Sequence, residues 1–300
     1  MSTKPFFPPF FVVGAQRSGT TMLRLMLNQH PDVAVPFESG FITDFVTRQA
    51  EFGDLSDPAN AAHMLDAIAS HPLVKKGNLI QDRQAILARP IMDYASLCDA
   101  IFSTYADAKG KRRWGDKTPS YITELDQLWR LFPGCKIVHI VRDGRDVALS
   151  NLRVGWGIHN LPRAAQDWRW KTLLAHKMGA VLAPNYFELR YEELVLAPEQ
   201  HLRQVCEFLE LDYDPRMLSY HENGANEMPQ ASLDWHRNSV RAPDKNLVYA
   251  WKKDMPKVDR IIFEQIASDA LETFGYEQEN LPSNLGSRVR NLYYATLQRW

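Results

Sequence analysis

The sequence predicts an α/β fold in which a parallel sheet is flanked by helices, with a helical cap inserted into it. Short apolar segments such as Phe10–Val13 and 136–141 read as buried strands, because their apolar runs are nearly continuous. Segments of helical period follow them. A loop that contains two glycines joins the first strand to the first helix. Strands that alternate with helices imply a parallel sheet.

The first elements follow directly from the apolar pattern. A strand at Phe10–Val13 leads into a loop at 14–19 and a helix at Thr20–Asn28. That helix is predicted to end at His30-Pro31, because a residue before proline avoids the α region. A second short strand covers 33–35, and Glu38 lies just past its end.

Residues 45–110 are predicted to form the cap. The segments 59–70 and 93–109 have helical spacing, and proline and glycine mark the turns between them. After the cap, Trp114–Lys117 leads into a helix predicted to begin at Thr118-Pro119, since threonine is a good N-cap and proline suits the first helical position.

The remaining elements complete a single domain predicted to span residues 1–280. They are a strand at 136–141, a helix at 146–153, a helix at 163–182, a strand at 185–190, and helices at 199–210 and 257–274. Residues 281–300 form a basic, aromatic tail, which contains Arg288, Arg290, Tyr293, Tyr294, Arg299 and Trp300. We expect this tail to dock on the core as a terminal helix; contact with a membrane or with the second subunit of a homodimer is the alternative.

Composition narrows the class of protein. The chain has 35 basic and 36 acidic residues and a net charge of −1, which argues against bulk nucleic-acid binding. Cys98, Cys135 and Cys206 are far apart and odd in number, which is typical of reduced thiols in a cytoplasmic protein. No window approaches the roughly 18 uncharged apolar residues of a membrane span, so no transmembrane segment is predicted.

The loop after the first strand is similar to a phosphate-binding P-loop, G-x-x-x-x-G-K-[ST], so the predicted sheet is P-loop-like. Gly14 and Gly19 keep the glycine spacing and Thr21 keeps the hydroxyl, but Thr20 replaces the lysine and the cation is Arg17. Backbone N–H groups at the start of the following helix can cradle an anion. The loop is therefore predicted to bind a phosphate without the usual lysine.

A second anion site is predicted after the strand at 136–141. Arg142 lies at the strand end and Ser150 lies two turns into the next helix, so both side chains can reach one phosphate. The two sites follow neighbouring strands, and ligands of parallel sheets bind beyond the carboxyl ends of the strands. The ligand is therefore expected to carry two separate phosphate groups.

These motifs resemble those of the PAPS-dependent sulfotransferases, in layout closest to tyrosylprotein sulfotransferases and their bacterial relatives. "QRSGTT" (16–21) resembles the family's 5′-phosphosulfate loop and "IVRDGRDVALSNL" (140–152) its 3′-phosphate motif. "WGDKTPSY" (114–121) resembles a motif of heparan sulfate sulfotransferases, and "RYEELVLAPE" (190–199) also matches. The resemblance implies a transferase that uses PAPS as donor, releases PAP and needs no metal.

The resemblance also implies which residues bind the donor. Residues of the 5′-phosphosulfate loop are Arg17, Ser18, Gly19, Thr20 and Thr21. Arg142 and Ser150 match the 3′-phosphate residues, and Tyr191 matches a cofactor-contacting tyrosine. Two positions depart from the tyrosylprotein type: Val154 and Ala250 stand where that type has basic residues.

Catalytic positions follow from the same resemblance. Glu38 matches the glutamate that acts as general base in an in-line displacement. Lys117 matches a lysine that stabilises charge on the bridging oxygen, and Arg17 meets the charge that builds on the departing phosphate. Ser239 matches a serine near the sulfate. His30 and His236 are alternative bases, whereas His139 is expected to be a core residue.

The acceptor stays open at this point. A small molecule, a carbohydrate, a lipid or a peptide could supply the hydroxyl or amine, and the cap together with residues 220–250 is expected to form its pocket. Two other functions compete with sulfuryl transfer: an ATP-dependent small-molecule kinase with a variant P-loop, and an inactive nucleotide-binding protein of the same fold. Thr20 in place of lysine argues against the kinase. Glu38 and Lys117 argue against an inactive site.

Overall fold

The computed structural model describes residues 7–283 and 285–297. Within them, five parallel strands form one sheet in the order β2-β3-β1-β4-β5. The strands are β1 (Phe10–Val13), β2 (Val33–Ala34), β3 (Arg113–Lys117), β4 (Lys136–Val141) and β5 (Tyr186–Arg190). The predicted α/β class with a parallel sheet flanked by helices is confirmed.

Helices cover both faces of the sheet. They are α1 (Thr20–Asn28), α2 (Phe41–Val46), α3 (Pro58–Ser70), α4 (Pro72–Gly77), α5 (Arg83–Leu87), α6 (Tyr94–Ala108), α7 (Leu125–Leu131), α8 (Gly144–Asn151), α9 (Leu161–Leu182), α10 (Tyr191–Leu196), α11 (Pro198–Leu209), α12 (Trp251–Asp254), α13 (Lys257–Thr273) and α14 (Leu285–Leu297). Short 3₁₀ turns occupy Gln49–Glu51, Pro119–Thr123, Pro215–Glu222, Gly224–Glu227, Gln230–Trp235 and Lys245–Leu247.

The central strand β1 distributes its side chains between two cores. Phe11 and Val13 join the apolar cluster under the cap, whereas Phe10 and Val12 face the cluster of α1 and α11. This alternation follows from the two-residue period of a strand. Because β1 is apolar on both faces, it is buried in the middle of the sheet, and the loop that follows it is held at the centre of the sheet edge.

The cap helices α2 to α6 pack on the sheet through one apolar cluster. Met64 and Ile68 of α3 and Ile101 of α6 lie in this cluster together with Trp114 of β3. The ring of Phe102 stacks on Trp114 with 4.5 Å between centroids. The cap is therefore anchored on the strand that carries Lys117.

Strand β3 was not predicted, and the helix expected from Thr118-Pro119 is wrong. Residues 113–117 pair with β1 and β2, a 3₁₀ turn follows, and α7 begins only at Leu125. The side chain of Thr118 caps no helix. Gly115 shows why the segment does not look like a strand: a Cβ there would lie 2.3 Å from the ring of Phe10, so close packing requires glycine at this position.

The tail forms α14, which packs on α9 and α13. Arg290 pairs with Asp259 at 2.6 Å, and the side chain of Asn160 donates to the carbonyl of Tyr294 at 3.0 Å. Arg299 and Trp300 lie outside the described residues. No helix in the described part of the chain is both long and apolar enough to cross a membrane.

Candidate active site

The carboxyl end of the sheet opens into a cavity of about 280 Å³. The strands are parallel, so the residues that follow them meet at this edge. Of the predicted site residues, the lining contains Arg17, Gly19, Thr20, Thr21, Glu38, Arg142, Ser150, Tyr191 and Ser239. Ser18 and Lys117 are fully buried beside them. The structure therefore brings the predicted set together at one place.

The loop after β1 has the backbone of an anion-binding turn. Gly19 has a φ of 96°, in the left-handed region, and a Cβ there would lie 2.4 Å from Cδ2 of Tyr191. No side chain caps the N-terminus of α1, so its first N–H groups are available to a ligand. The hydroxyl of Ser18 is buried without a hydrogen-bond partner in the described residues. The N-terminus of α1 therefore has N–H and hydroxyl donors that no described residue uses and that suit an anion.

Arg17 connects the loop to the second predicted anion site. Its backbone has a φ of 73°, and its Nε donates to Oγ of Ser150 at 3.0 Å. Its Nη2 donates to the carbonyl of Trp235 at 3.0 Å. Ser150 was expected to act with Arg142; in the structure its direct partner is Arg17. Arg17 therefore belongs to both predicted anion sites. We call Arg17 and Arg142, which lie next to each other, the basic strip.

Arg142 is the second arginine of the basic strip. It donates to the carbonyls of Arg17 at 3.3 Å and Leu247 at 2.8 Å, and its guanidinium lies 4.5 Å from the ring centre of Tyr191. Its Nε is buried and unpaired within the described residues. This leaves a charged donor for a ligand in the cavity.

Val154 and Ala250 are the two positions that depart from the family pattern. Val154 is buried, and the neighbouring Arg153 lines the cavity and reaches Asp254 at 3.3 Å. Ala250 is part of the lining. Nζ of Lys252 forms an ion pair with Glu277 at 2.6 Å. Of these two basic side chains, Arg153 lines the cavity and Lys252 does not.

Glu38 and Lys117 form an ion pair beside the N-terminus of α1. Nζ of Lys117 lies 2.5 Å from Oε1 of Glu38 and 3.3 Å from the hydroxyl of Thr21. Burial raises the pKa of Glu38, but the ammonium group of Lys117 outweighs it and holds that pKa below its usual range. Burial lowers the pKa of Lys117. The carboxylate is thus ionised and able to accept a proton.

A buried hydrogen-bond cluster holds this pair in place. Oδ2 of Asp116 accepts hydrogen bonds from the hydroxyls of Ser39 at 2.6 Å and Thr118 at 3.1 Å. The backbone N–H of Ser39 donates to Oγ1 of Thr118 at 3.2 Å. Ser39 follows Glu38, and Asp116 and Thr118 flank Lys117, so the cluster ties together the two segments that carry the pair. No local motif in the sequence marks Asp116 for this position.

The three histidines considered in the sequence lie in three different environments. His236 lines the cavity, and burial, with the charges of Lys117 and Arg17, lowers its pKa to about 3. His30 is buried away from the lining, bonded through Nε2 to the carbonyl of Asp212 at 2.7 Å. His139 is fully buried and contacts Tyr186, as expected for a core residue. Only His236 remains as an alternative base.

Several lining residues escaped the sequence analysis. They are four apolar or aromatic side chains and one lysine, from the segment before Glu38, the cap helix α4, the loop after α8 and the turn at 230–235: Phe37, Leu73, Lys76, Trp156 and Trp235. The rings of Trp156 and Trp235 meet edge to face at 6.2 Å. No motif marks these residues, because only the fold brings the cap over the sheet edge. Phe37, next to Glu38, was the one available signal.

Among the residues described, no cluster of three or more His, Cys, Asp or Glu side chains could hold a metal ion.

The sulfotransferase family model matches residues 8–215. Protein-tyrosine sulfotransferase A of Caenorhabditis elegans is 22% identical over 291 residues, which cover 95% of this chain and 70% of that protein.

A second relative is a nodulation protein, NoeE of Sinorhizobium fredii. It is 24% identical over 321 residues, covering 97% of this chain and 72% of that protein. Among solved structures, the sulfotransferase domain of the Synechococcus PCC 7002 olefin synthase is similar with a TM-score of 0.64 and 25% identity. That match covers 94% of this chain and 100% of the solved domain.

Proposed function

Because this chain belongs to the sulfotransferase family, we propose that it moves the sulfuryl group of PAPS to an acceptor hydroxyl or amine by in-line displacement. Family membership assigns sulfuryl transfer in general; the donor, the base and the geometry of attack are the proposal. The observation that carries it is the buried Lys117–Glu38 pair beside the N-terminus of α1. It supports the proposal because a carboxylate and an ammonium group lie next to a turn whose N–H groups suit an anion.

The donor would be held by the basic strip. Arg17, the hydroxyl of Ser18 and the N–H groups at Gly19–Thr21 suit the 5′-phosphosulfate. Arg142, Ser150 and the ring of Tyr191 suit the 3′-phosphate end. The unpaired Ser18 hydroxyl and Arg142 Nε support this fit, since both are buried donors without partners in the described chain. Arg153 would complete the 3′ site.

Glu38 would take the proton of the acceptor as its oxygen or nitrogen attacks sulfur. The low pKa of its carboxylate keeps it ionised at neutral pH. Lys117 would stabilise negative charge on the oxygen that leaves with PAP, because a buried ammonium acts strongly in a site that excludes water. Ser239 lines the cavity and could donate to the sulfate. His236 also lines the cavity and is the alternative base; burial and the charges of Lys117 and Arg17 lower its pKa to about 3.

Acceptor, domain limits and location are parts of the same proposal. The acceptor is a small molecule, a carbohydrate, a lipid or a peptide, and the name of one relative points to protein tyrosine for that relative. We assign catalysis to one domain spanning residues 1–280. Cys98, Cys135 and Cys206 are buried free thiols, which supports a cytoplasmic protein.

The test is a donor comparison in cell extract. Purified protein is incubated with extract and either [³⁵S]PAPS or [γ-³²P]ATP with Mg²⁺, and labelled products are identified by mass spectrometry. Sulfate transfer from PAPS supports the proposal. Phosphate transfer from ATP would replace it by the kinase, and PAP binding without any transfer would replace it by the inactive nucleotide-binding protein.

A further inference from the structure

We propose that Lys76 forms an anion subsite that selects an acceptor carrying a carboxylate or phosphate near its reactive hydroxyl. This inference rests on the proposed function, and it names the class of acceptor. Lys76 lies in the last turn of α4, in the cap, and it lines the cavity. It belongs to none of the motifs that would bind the donor.

Two aromatic rings hold the ammonium group of Lys76 at the cavity. Its Nζ lies 5.5 Å from the ring centre of Phe37 and 5.3 Å from that of Trp235. A cation over ring faces is attracted by their negative charge density. The side chain is exposed, and the two rings favour a position of its charge beside the cavity.

The subsite lies close to the proposed catalytic pair. Nζ of Lys117 also lies 5.5 Å from the ring centre of Phe37, so the two ammonium groups are separated by no more than twice that distance. Phe37 directly precedes Glu38 in the chain. One ring therefore lies beside both the cation of the catalytic pair and the cation of the subsite.

The cap is packed tightly enough to maintain this arrangement. A Cβ at Gly40 would lie 2.5 Å from Cδ1 of Leu73, and a Cβ at Gly77 would lie 3.1 Å from Cβ of Phe37. Helix α4 is thus in contact with the segment on both sides of Glu38. The part of α4 that carries Lys76 therefore packs against the segment that carries Glu38.

The other cations of the lining, which are three arginines, are assigned to the donor in the proposed function and also have partners in the chain. Arg17 donates to Ser150, Arg142 to backbone carbonyls, and Arg153 to Asp254. Lys76 forms no ion pair with any described residue, and the rings of Phe37 and Trp235 lie near its ammonium group. A cation without a carboxylate, beside apolar Leu73 and Phe37, suits a ligand with an apolar body and an anionic group.

Matched acceptors test the inference. Wild-type protein is assayed with 3-(4-hydroxyphenyl)propionate, its phosphonate analogue, its uncharged amide and the cationic tyramine, and with each acceptor found in cell extract. We expect Lys76→Met to raise KM for the anionic acceptors about tenfold and leave KM for the amide within about twofold. Lys76→Glu should shift the preference toward tyramine. Comparing carboxylate with phosphonate distinguishes the two anion sources.

Lys75→Met is the control, because Lys75 is the exposed neighbour in the same helix turn and is absent from the lining. It should behave as wild type. Equal losses on charged and neutral acceptors, a weaker Kd for PAP in Lys76→Met, or only neutral acceptors in extract would overturn the inference while sulfuryl transfer stands. No sulfated product from the wild-type protein would overturn the proposed function and the subsite with it.

Discussion

Nζ of Lys117 donates to Oε1 of Glu38 at 2.5 Å, and the lysine side chain is fully buried while the glutamate keeps 22% of its surface exposed. The lysine therefore belongs to the protein interior, and the carboxylate faces the cavity. This asymmetry suits a pair in which Glu38 meets the acceptor and Lys117 sets the charge around it.

Glu38→Gln should lower kcat by a factor of about 100 to 10,000, the usual range for loss of a general base. The amide keeps the shape of the side chain but cannot accept the proton. The Kd for PAP, measured by calorimetry, should change little. His236→Asn is the matched control and should keep kcat within a few-fold. The assignment is wrong if the two variants exchange these effects.

The pH dependence of kcat/KM should depend on Lys117. Glu38 must be ionised to act as a base, and Lys117 holds its pKa below the usual range of a glutamate, so wild-type activity should persist to lower pH than an ordinary glutamate base would allow. Lys117→Met removes the ammonium group and leaves burial, which raises the pKa of Glu38. The acid limb of the residual activity should therefore move to higher pH. An unchanged limb would mean that another group controls it.

Arg142→Ala should abolish measurable PAP binding. The guanidinium has a buried, unpaired Nε at the cavity, and a bidentate charged donor contributes strongly to phosphate binding. Calorimetric titration with PAP gives the affinity, and circular dichroism checks the fold. Arg153→Ala should weaken PAP less, because Arg153 is exposed and paired with Asp254. Unchanged affinity in Arg142→Ala would place the phosphate site elsewhere.

Asp116→Asn should stabilise the protein more at pH 8 than at pH 5. Burial raises the pKa of Asp116 to about 6, so the folded state loses stability as pH rises from 3.8 through about 6. The variant has no carboxylate to ionise, so its free energy of unfolding relative to wild type should increase by about 1 kcal/mol between the two pH values.

Urea unfolding at each pH measures this change. Asp126→Asn, on the surface of α7, is the control for the loss of one exposed carboxylate. A constant difference between Asp116→Asn and wild type would mean that Asp116 is already ionised at pH 5 in the folded protein, so that its pKa is not raised.

The sequence allowed the anion-binding loop to be predicted because its signal is local. The apolar β1, the glycine at position 19 and the helix beginning at Thr20 are neighbours in the chain, and the structure has the helix at the predicted residues. Glu38 and Lys117 came from the family resemblance, and the structure brings them into contact.

Features that depend on distant contacts were not predictable. Strand β3 carries Gly115, Asp116 and Lys117, residues that strands disfavour, and only packing on β1 and β2 explains it. The Arg17–Ser150 hydrogen bond joins residues 133 positions apart. Lys76 had no motif, since its surroundings come from the fold of the cap.

Donor chemistry is the central claim, and a stoichiometry measurement tests it most directly. Wild-type protein, PAPS and an acceptor identified in extract are incubated with EDTA, and PAP and sulfated product are quantified together by mass spectrometry. The account predicts one PAP for each sulfated acceptor and loss of both products in Glu38→Gln. PAP release without sulfated acceptor, or transfer that persists undiminished in Glu38→Gln, would contradict it.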